Sequence, residues 1–389
     1  MPDAPEDARK INEWLIGEGR RSGDALVIVS GYVQRLLDAG IPISRARIAQ
    51  RTANPLLAAW GLIWTKDGAE EYTVPRAALS TIAWYGSPFE HVLTTQQPLH
   101  RSLIGLKPED HQVYHDLAAG GGTDFYASLL DYGDGSLQAC SYVTARPSGF
   151  EAREIEIMEA TRSGLASALE PVAMRRSTQS LLTAYLGSGP ATAVFEGTIE
   201  RGQQVQTEAA IMFADLRGFT QKTVTWPEAD LLAALDDYFE AVVEAVRKNQ
   251  GDVLKLLGDG VLAMFPAHGS PDTCCQSAVL AAQLAQAGID AKNRTRRDQG
   301  KAPLAAGFGL SFGPVTYGNI GSLDRLDFTV LGVPVNRASR IQDLCKSKGE
   351  TILLGEEVAQ RLSIPTDPIG DHELRGLPGR HAIYAPRRR

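Results

Sequence analysis

The sequence predicts a mixed α/β protein of the α+β kind, built as two domains joined by a long helix. Three observations carry this. Helical and strand-like apolar spacings alternate along all 389 residues. Two tight polar turns, Asp131-Tyr132-Gly133-Asp134-Gly135 and Gly258-Asp259-Gly260, each separate apolar runs short enough to pair as antiparallel hairpins. Between them lies a helix-spaced stretch bounded by two breaker segments, Arg146-Pro147-Ser148-Gly149-Phe150 and Gly187-Ser188-Gly189-Pro190.

Taken in order, residues 23–39 place Leu26, Val29, Val33, Leu36 and Leu37 at helical spacing. Trp60–Thr65 and Thr81–Tyr85 read as short strands, and 125–130 with 137–143 as a hairpin. From residue 151 a long helix carries Ile155, Met158, Leu165, Leu169 and Val172, a heptad-like stripe that suits a partner helix and its own domain equally. Pro171 should kink or divide it. A connector runs to about residue 206. A buried strand at 209–214 then precedes a helix with Leu231, Leu232, Leu235, Phe239, Val242 and Val246, a strand–turn–strand at 252–265 and a further helix at 272–287. The expected division is 1–150, 151–206 and 207–389.

Composition narrows the function. With 43% hydrophobic and 22% charged residues the chain is not disordered, and its length supports cores without disulfide or zinc staples. A net charge of −7 argues against a dedicated nucleic-acid binder but not against a small phosphate ligand. Cys140, Cys274, Cys275 and Cys345 form no C-x-x-C pair. The acidic start, Met1-Pro2-Asp3-Ala4, has no apolar signal region, and no apolar run approaches 18 residues, so a cytoplasmic protein outside the membrane is expected. The terminal Arg387-Arg388-Arg389 reads as a solvated tail.

Two acids stand out. Asp215 ends an apolar strand, and Asp259 occupies the turn of Leu256-Leu257-Gly258-Asp259-Gly260-Val261. Each alone is an ordinary turn aspartate bonding local amides; together they have the chemistry to hold divalent cations against a polyphosphate. Gly218 and its neighbours would let backbone N–H groups approach phosphate oxygens. Asn336 and Arg340, four apart, share one helix face and suit a phosphate clamp or a surface pair.

Four segments, in order, resemble the class III nucleotidyl cyclase catalytic domain. They are Phe213-Ala214-Asp215-Leu216-Arg217-Gly218-Phe219-Thr220, Lys255-Leu256-Leu257-Gly258-Asp259-Gly260, Gly318-Asn319-Ile320-Gly321-Ser322 and Asp327-Phe328-Thr329-Val330-Leu331-Gly332 with Val335-Asn336-Arg337-Ala338-Ser339-Arg340. The connector from Tyr185 through Gly202 resembles the segment that precedes many bacterial members. The resemblance covers residues 207–389 and implies a ferredoxin-like, palm-type fold with an antiparallel-rich sheet flanked by helices. It implies that Asp215 and Asp259, with Leu216 beside them, hold two Mg²⁺ or Mn²⁺ ions, and that Gly218, Phe219 and Thr220 lie along the phosphates. Lys255 and Thr329 would read the purine, Asn336 would orient the ribose and Arg340 would stabilise charge at phosphorus. A lysine at 255 suits adenine N1, an acceptor, so ATP is expected over GTP. The family divides these roles between two chains, so a homodimer is implied.

The sequence departs from the family at Val333 and Arg337, and the lysine for the terminal phosphates has no clean match; Arg375 or Arg380 stands nearest, each equally a surface-loop residue. The first domain resembles a GAF-type sensor in its order of elements. His91, His100, His111 and His115 show no ligand-like grouping and read as ordinary residues. Trp60, Trp64, Trp84 and Tyr85 read as core, or as the lining of a small-molecule site. The expectation is therefore an adenylate cyclase with an N-terminal regulatory domain. A guanylate cyclase and a non-catalytic nucleotide-binding protein are the alternatives, while the Gly-Gly-Asp/Glu-Glu-Phe hairpin of diguanylate-type cyclases is absent.

Overall fold

Two compact units, Met1–Ala184 and Tyr185–Arg389, make up the computed structural model. It describes residues 4–387 except 199, 201 and 323, and every element below is given for those residues. The readings that touch Met1-Pro2-Asp3, Ile199, Arg201 and Arg388-Arg389 lie outside the described residues.

The first unit holds an antiparallel sheet in the order β3-β2-β1-β6-β5-β4, built from β1 (Arg45–Arg51), β2 (Leu57–Thr65), β3 (Gly68–Pro75), β4 (Leu99–Ser102), β5 (Asp124–Asp131) and β6 (Leu137–Thr144). Its helices are α1 (Ala4–Trp14), α2 (Arg20–Ser22), α3 (Ala25–Asp38), α4 (Pro88–Thr95), α5 (Gln112–Ala119) and most of α6 (Ala152–Leu186). Asp24 starts α3 by accepting the Leu26 and Val27 amides at 2.8 and 3.4 Å, a side-chain N-cap. Alternation along the strands separates two cores. Ala46 and Ile48 of β1 bury against Ile28 and Leu36 of α3 and Leu165 and Leu169 of α6. Phe125, Ala127 and Val143 pack on the other face with Val92 and Tyr114 of α4 and α5.

Three readings need correction here. Thr81–Tyr85 is a turn, not a strand, with Ile82 88% and Tyr85 60% exposed; its aromatic and β-branched residues favour a strand, but no neighbouring strand pairs with it. Trp84 is half-buried and Tyr85 exposed, so they do not join Trp60 and Trp64 in the core. Pro171 does not divide α6, which runs through it. The buried Leu165, Ala168, Leu169 and Ala173 flanking the proline hold the helix on its own unit and offset the lost hydrogen bond. The heptad-like stripe is thus core of its own domain. Arg146 fixes the start of the helix by donating to Glu154 at 2.9 and 2.6 Å and to the Gly149 carbonyl.

The second unit opens with α7 (Ser188–Phe195), a helix within the predicted connector. Its sheet follows the order β13-β14-β12-β10-β7-β9-β8, with β11 on the far stretch of β10. The strands are β7 (Gln204–Leu216), β8 (Asp252–Leu257), β9 (Gly260–Pro266), β10 (Ala306–Gly321), β11 (Leu326–Leu331), β12 (Ile352–Gly355), β13 (Thr366–Glu373) and β14 (Arg380–Pro386). Only the β10–β12 pair is parallel among the described residues. The remaining helices are α8 (Phe219–Thr225), α9 (Glu228–Lys248), α10 (Pro271–Asp298), which runs eleven residues beyond its predicted end, α11 (Val333–Lys348) and α12 (Glu356–Ala359). One core lies between the sheet and α9 and α10, centred on Tyr238, Val242, Phe265, Cys275, Ile289 and Phe308. Helix α11 crosses β10 closely because Gly309 is bare there: a Cβ would come within 2.3 Å of the Ala338 carbonyl. All four cysteines are free and buried, and no helix among the described residues is long and apolar enough to cross a membrane.

Candidate active site

Antiparallel register brings the two acids together. Asp215, one residue from the end of β7, faces Gly260, the first residue of β9. Asp259 precedes Gly260 in the two-residue turn whose first member, Gly258, is left-handed at φ +66°. Burial first, and the neighbouring Asp259 carboxylate second, push the Asp215 carboxyl up to about 7. Asp343 of α11 adds to this, and the Leu216 amide opposes it with a hydrogen bond. Tyr238 of α9 lies fully buried near the pair; its pKa is raised by burial and then by both carboxylates, and its hydroxyl has no hydrogen-bond partner among the described residues. This environment suits a divalent cation: two hard oxygen donors held close, in partial burial, with mutual repulsion that a bound cation would relieve. The Leu216 backbone stands beside them.

The segment after Asp215 turns sharply. Gly218 is left-handed at φ +71° and open space surrounds it, and α8 begins at Phe219. The first amides of a helix have no intrahelical acceptor, so those of Phe219 and Thr220 are free to meet anionic oxygens. Arg217 anchors the turn by donating to the Glu350 and Cys345 carbonyls, and Lys222 donates back to the Arg217 carbonyl at 2.8 Å.

Lys255 leaves β8 and pairs with the Asp327 carboxylate on β11. Thr329, 8% exposed, stands two residues on and so on the same strand face as Asp327. On α11, Asn336 is exposed and Arg340 half-buried, with Arg340 donating to Asp343 at 3.2 Å. Arg337, one of the family departures, is tied to Glu357 at the start of α12, which gives it a structural role; nothing in the structure explains Val333. Arg375 sits exposed in the turn between β13 and β14, at the opposite edge of the sheet from β8 and β9, so one chain does not bring it to the acid pair.

Asp327, Asp343 and Tyr238 were not singled out from sequence. Only Asp327 left a signal, the two-residue spacing to Thr329. In the first unit, His100 Nε2 lies 2.7 Å from the buried Asp124 carboxylate, and among the described residues no group of three or more His, Cys, Asp or Glu could hold a metal.

Residues 202–385 match the family described as the adenylate and guanylate cyclase catalytic domain. That match takes in most of the second unit, which is itself a mixed α+β domain with an antiparallel-rich sheet. An adenylate cyclase of Anabaena cylindrica is 32% identical over 167 residues, covering 43% of this chain and 33% of that protein. Among solved structures, the adenylyl cyclase CyaB from P. aeruginosa is 26% identical, covers 48% of this chain and 98% of its own, and aligns with a TM-score of 0.44. The guanylyl cyclase Cya2 is 25% identical, covers 46% and 91%, and aligns at 0.41. The chain spans about a third of the length of the curated relatives it matches.

Proposed function

We propose that the protein is an adenylate cyclase, forming 3′,5′-cyclic AMP and pyrophosphate from ATP. The observation that carries this is the close, partly buried Asp215–Asp259 pair within a cyclase catalytic domain. Asp215 and Asp259 would hold Mg²⁺ or Mn²⁺, two ions per site, with the Leu216 carbonyl as a further oxygen. Bound there, such ions would supply Lewis acidity toward the ribose 3′-OH and charge neutralisation at the phosphates. The 3′ oxygen forms its bond to the α-phosphorus, the bond from that phosphorus to the α–β bridging oxygen breaks, and the hydroxyl proton leaves to solvent.

The chain's own residues orient this step. The amides at Gly218, Phe219 and Thr220 receive phosphate oxygens. Lys255, steadied by Asp327, donates to adenine N1, and Thr329 lies beside the base. Asn336 holds the ribose, and Arg340 offers a guanidinium to the charge gathering at phosphorus. Lys255 and its neighbours on β8, β11 and α11 serve the acid pair of a second copy, so the active form is a homodimer. Arg375 is a further candidate for the terminal phosphates. Residues 1–150 act as a GAF-like sensor taking a small ligand, 151–206 as the signalling helix and linker, and 207–389 as the catalytic domain of a cytoplasmic enzyme.

The test is to incubate the purified full chain with ATP or GTP and with Mg²⁺ or Mn²⁺. Cyclic AMP with released pyrophosphate is expected, in excess of cyclic GMP. Faster turnover of GTP would reassign the substrate, and nucleotide binding without pyrophosphate release would make the domain a non-catalytic binder.

A further inference from the structure

The first unit carries two positive charges that have no ion-pair partner among the described residues. Arg45 and Arg47 leave β1 on the face opposite Ala46 and Ile48, which bury against α3 and α6. The Arg47 guanidinium lies between two rings, 4.4 Å from the centre of Tyr72 and 5.2 Å from that of Phe89. Its Nε is buried without a hydrogen-bond partner. Arg45 is half-buried beside it, and its pKa is lowered by burial and then by the charge of Arg47.

Among the described residues, no carboxylate lies within ion-pair distance of either arginine. Glu70 on β3 is the acid whose charge reaches Arg45, and it is exposed. Glu71 is held by Arg176 at 2.5 and 2.7 Å. The Tyr72 hydroxyl, which bonds Arg47, is neutral. Two adjacent guanidinium groups drawn out of water without a counter-charge are unfavourable in isolation. Arginine is also the side chain whose planar fork matches a carboxylate or phosphate.

We propose that Arg45 and Arg47 bind the carboxylate or phosphate group of a small ligand on this face of the first unit's sheet. The site is distinct from the cyclase residues, and the inference stands whether or not the catalytic reading does.

Isothermal titration calorimetry of the full chain, with inorganic phosphate in one arm and benzoate in the other, tests it and separates the two sources of the oxyanion. Saturable binding in at least one arm is expected, weakened about tenfold or more by Arg45→Gln and by Arg47→Gln. Arg47→Lys, which keeps the charge but loses the fork, should weaken it as well. Arg340→Ala should leave it unchanged. No binding of either probe up to about 10 mM would overturn the proposal. So would binding that survives Arg45→Gln, or phosphate binding abolished by Arg340→Ala. If circular dichroism shows Arg47→Gln misfolded through loss of its ring contacts, Arg45→Gln, whose side chain stacks on no ring, decides alone.

Discussion

Two aspartates at strand ends, one in each unit, live in opposite circumstances. Asp124 begins β5 and is 4% exposed, and its Oδ2 is engaged twice: the Phe150 amide donates to it at 2.8 Å and the His100 ring meets it at 2.7 Å. Asp215, near the end of β7, is less buried, but burial and then the Asp259 carboxylate beside it raise its pKa, and among the described residues no ion pair reaches it. A buried charge that the chain satisfies is part of the architecture. One that the chain leaves in repulsion stores a cost that a bound cation can relieve, and it marks where ligand chemistry belongs.

That contrast can be broken or sharpened by measurement. The largest effect is expected from Asp215→Ala and Asp259→Ala, each lowering cyclic AMP formation on the order of a thousandfold, since metal stabilisation is worth several kcal/mol. Both variants should remain folded by circular dichroism; substantial retained activity in either would detach the acid pair from catalysis. Next, Lys255→Glu should lower the ATP-to-GTP ratio of kcat/KM by roughly tenfold or more, because a carboxylate accepts from guanine N1–H where the ammonium donated to adenine N1.

Stability should then separate the two aspartates by sign. Asp124→Ala strands the Phe150 amide and should cost about 1–3 kcal/mol in denaturant unfolding of the first unit. Asp215→Asn should instead raise the melting temperature near pH 8 in the absence of divalent ions. The folded-state pKa of about 7 lies above the unfolded value, so the folded chain binds this proton more tightly. Stability from that source is full below about pH 4 and is lost as pH rises through 7. The gain in Asp215→Asn should therefore shrink on acidification toward pH 5, and a melting-temperature difference flat between pH 5 and 8 would contradict the assigned repulsion. The smallest shift, a rise in wild-type melting temperature on adding Mn²⁺ at pH 8, should be absent from both alanine variants.

Much of this was legible in the chain itself, for local reasons. The hairpins at Asp131–Gly135 and Gly258–Gly260 announce themselves because glycine turns separate apolar runs, and the strand leaving the second one pairs with β7 so that Gly260 faces Asp215. Elsewhere tertiary context decides. Thr81–Tyr85 has strand-like side chains and no strand partner among the described residues. Pro171 is tolerated because Leu165, Ala168 and Leu169 before it and Ala173 after it are buried. Tyr238 and Asp343 come near the acids from α9 and α11, helices whose packing on the sheet no sequence spacing reveals. Lys255 and Asp327 pair across seventy-two positions of chain, a distance over which spacing says nothing.

One consequence follows from the β8–β9 hairpin. Lys255 and Asp259 sit four positions apart on it, yet in the proposed dimer they act at different reaction centres. A damaged hairpin therefore impairs two centres, and two separately impaired chains, Lys255→Ala and Asp259→Ala, should complement when mixed. Of the two sites in such a hybrid one collects both lesions and the other neither, so a blend should turn over faster than either preparation alone.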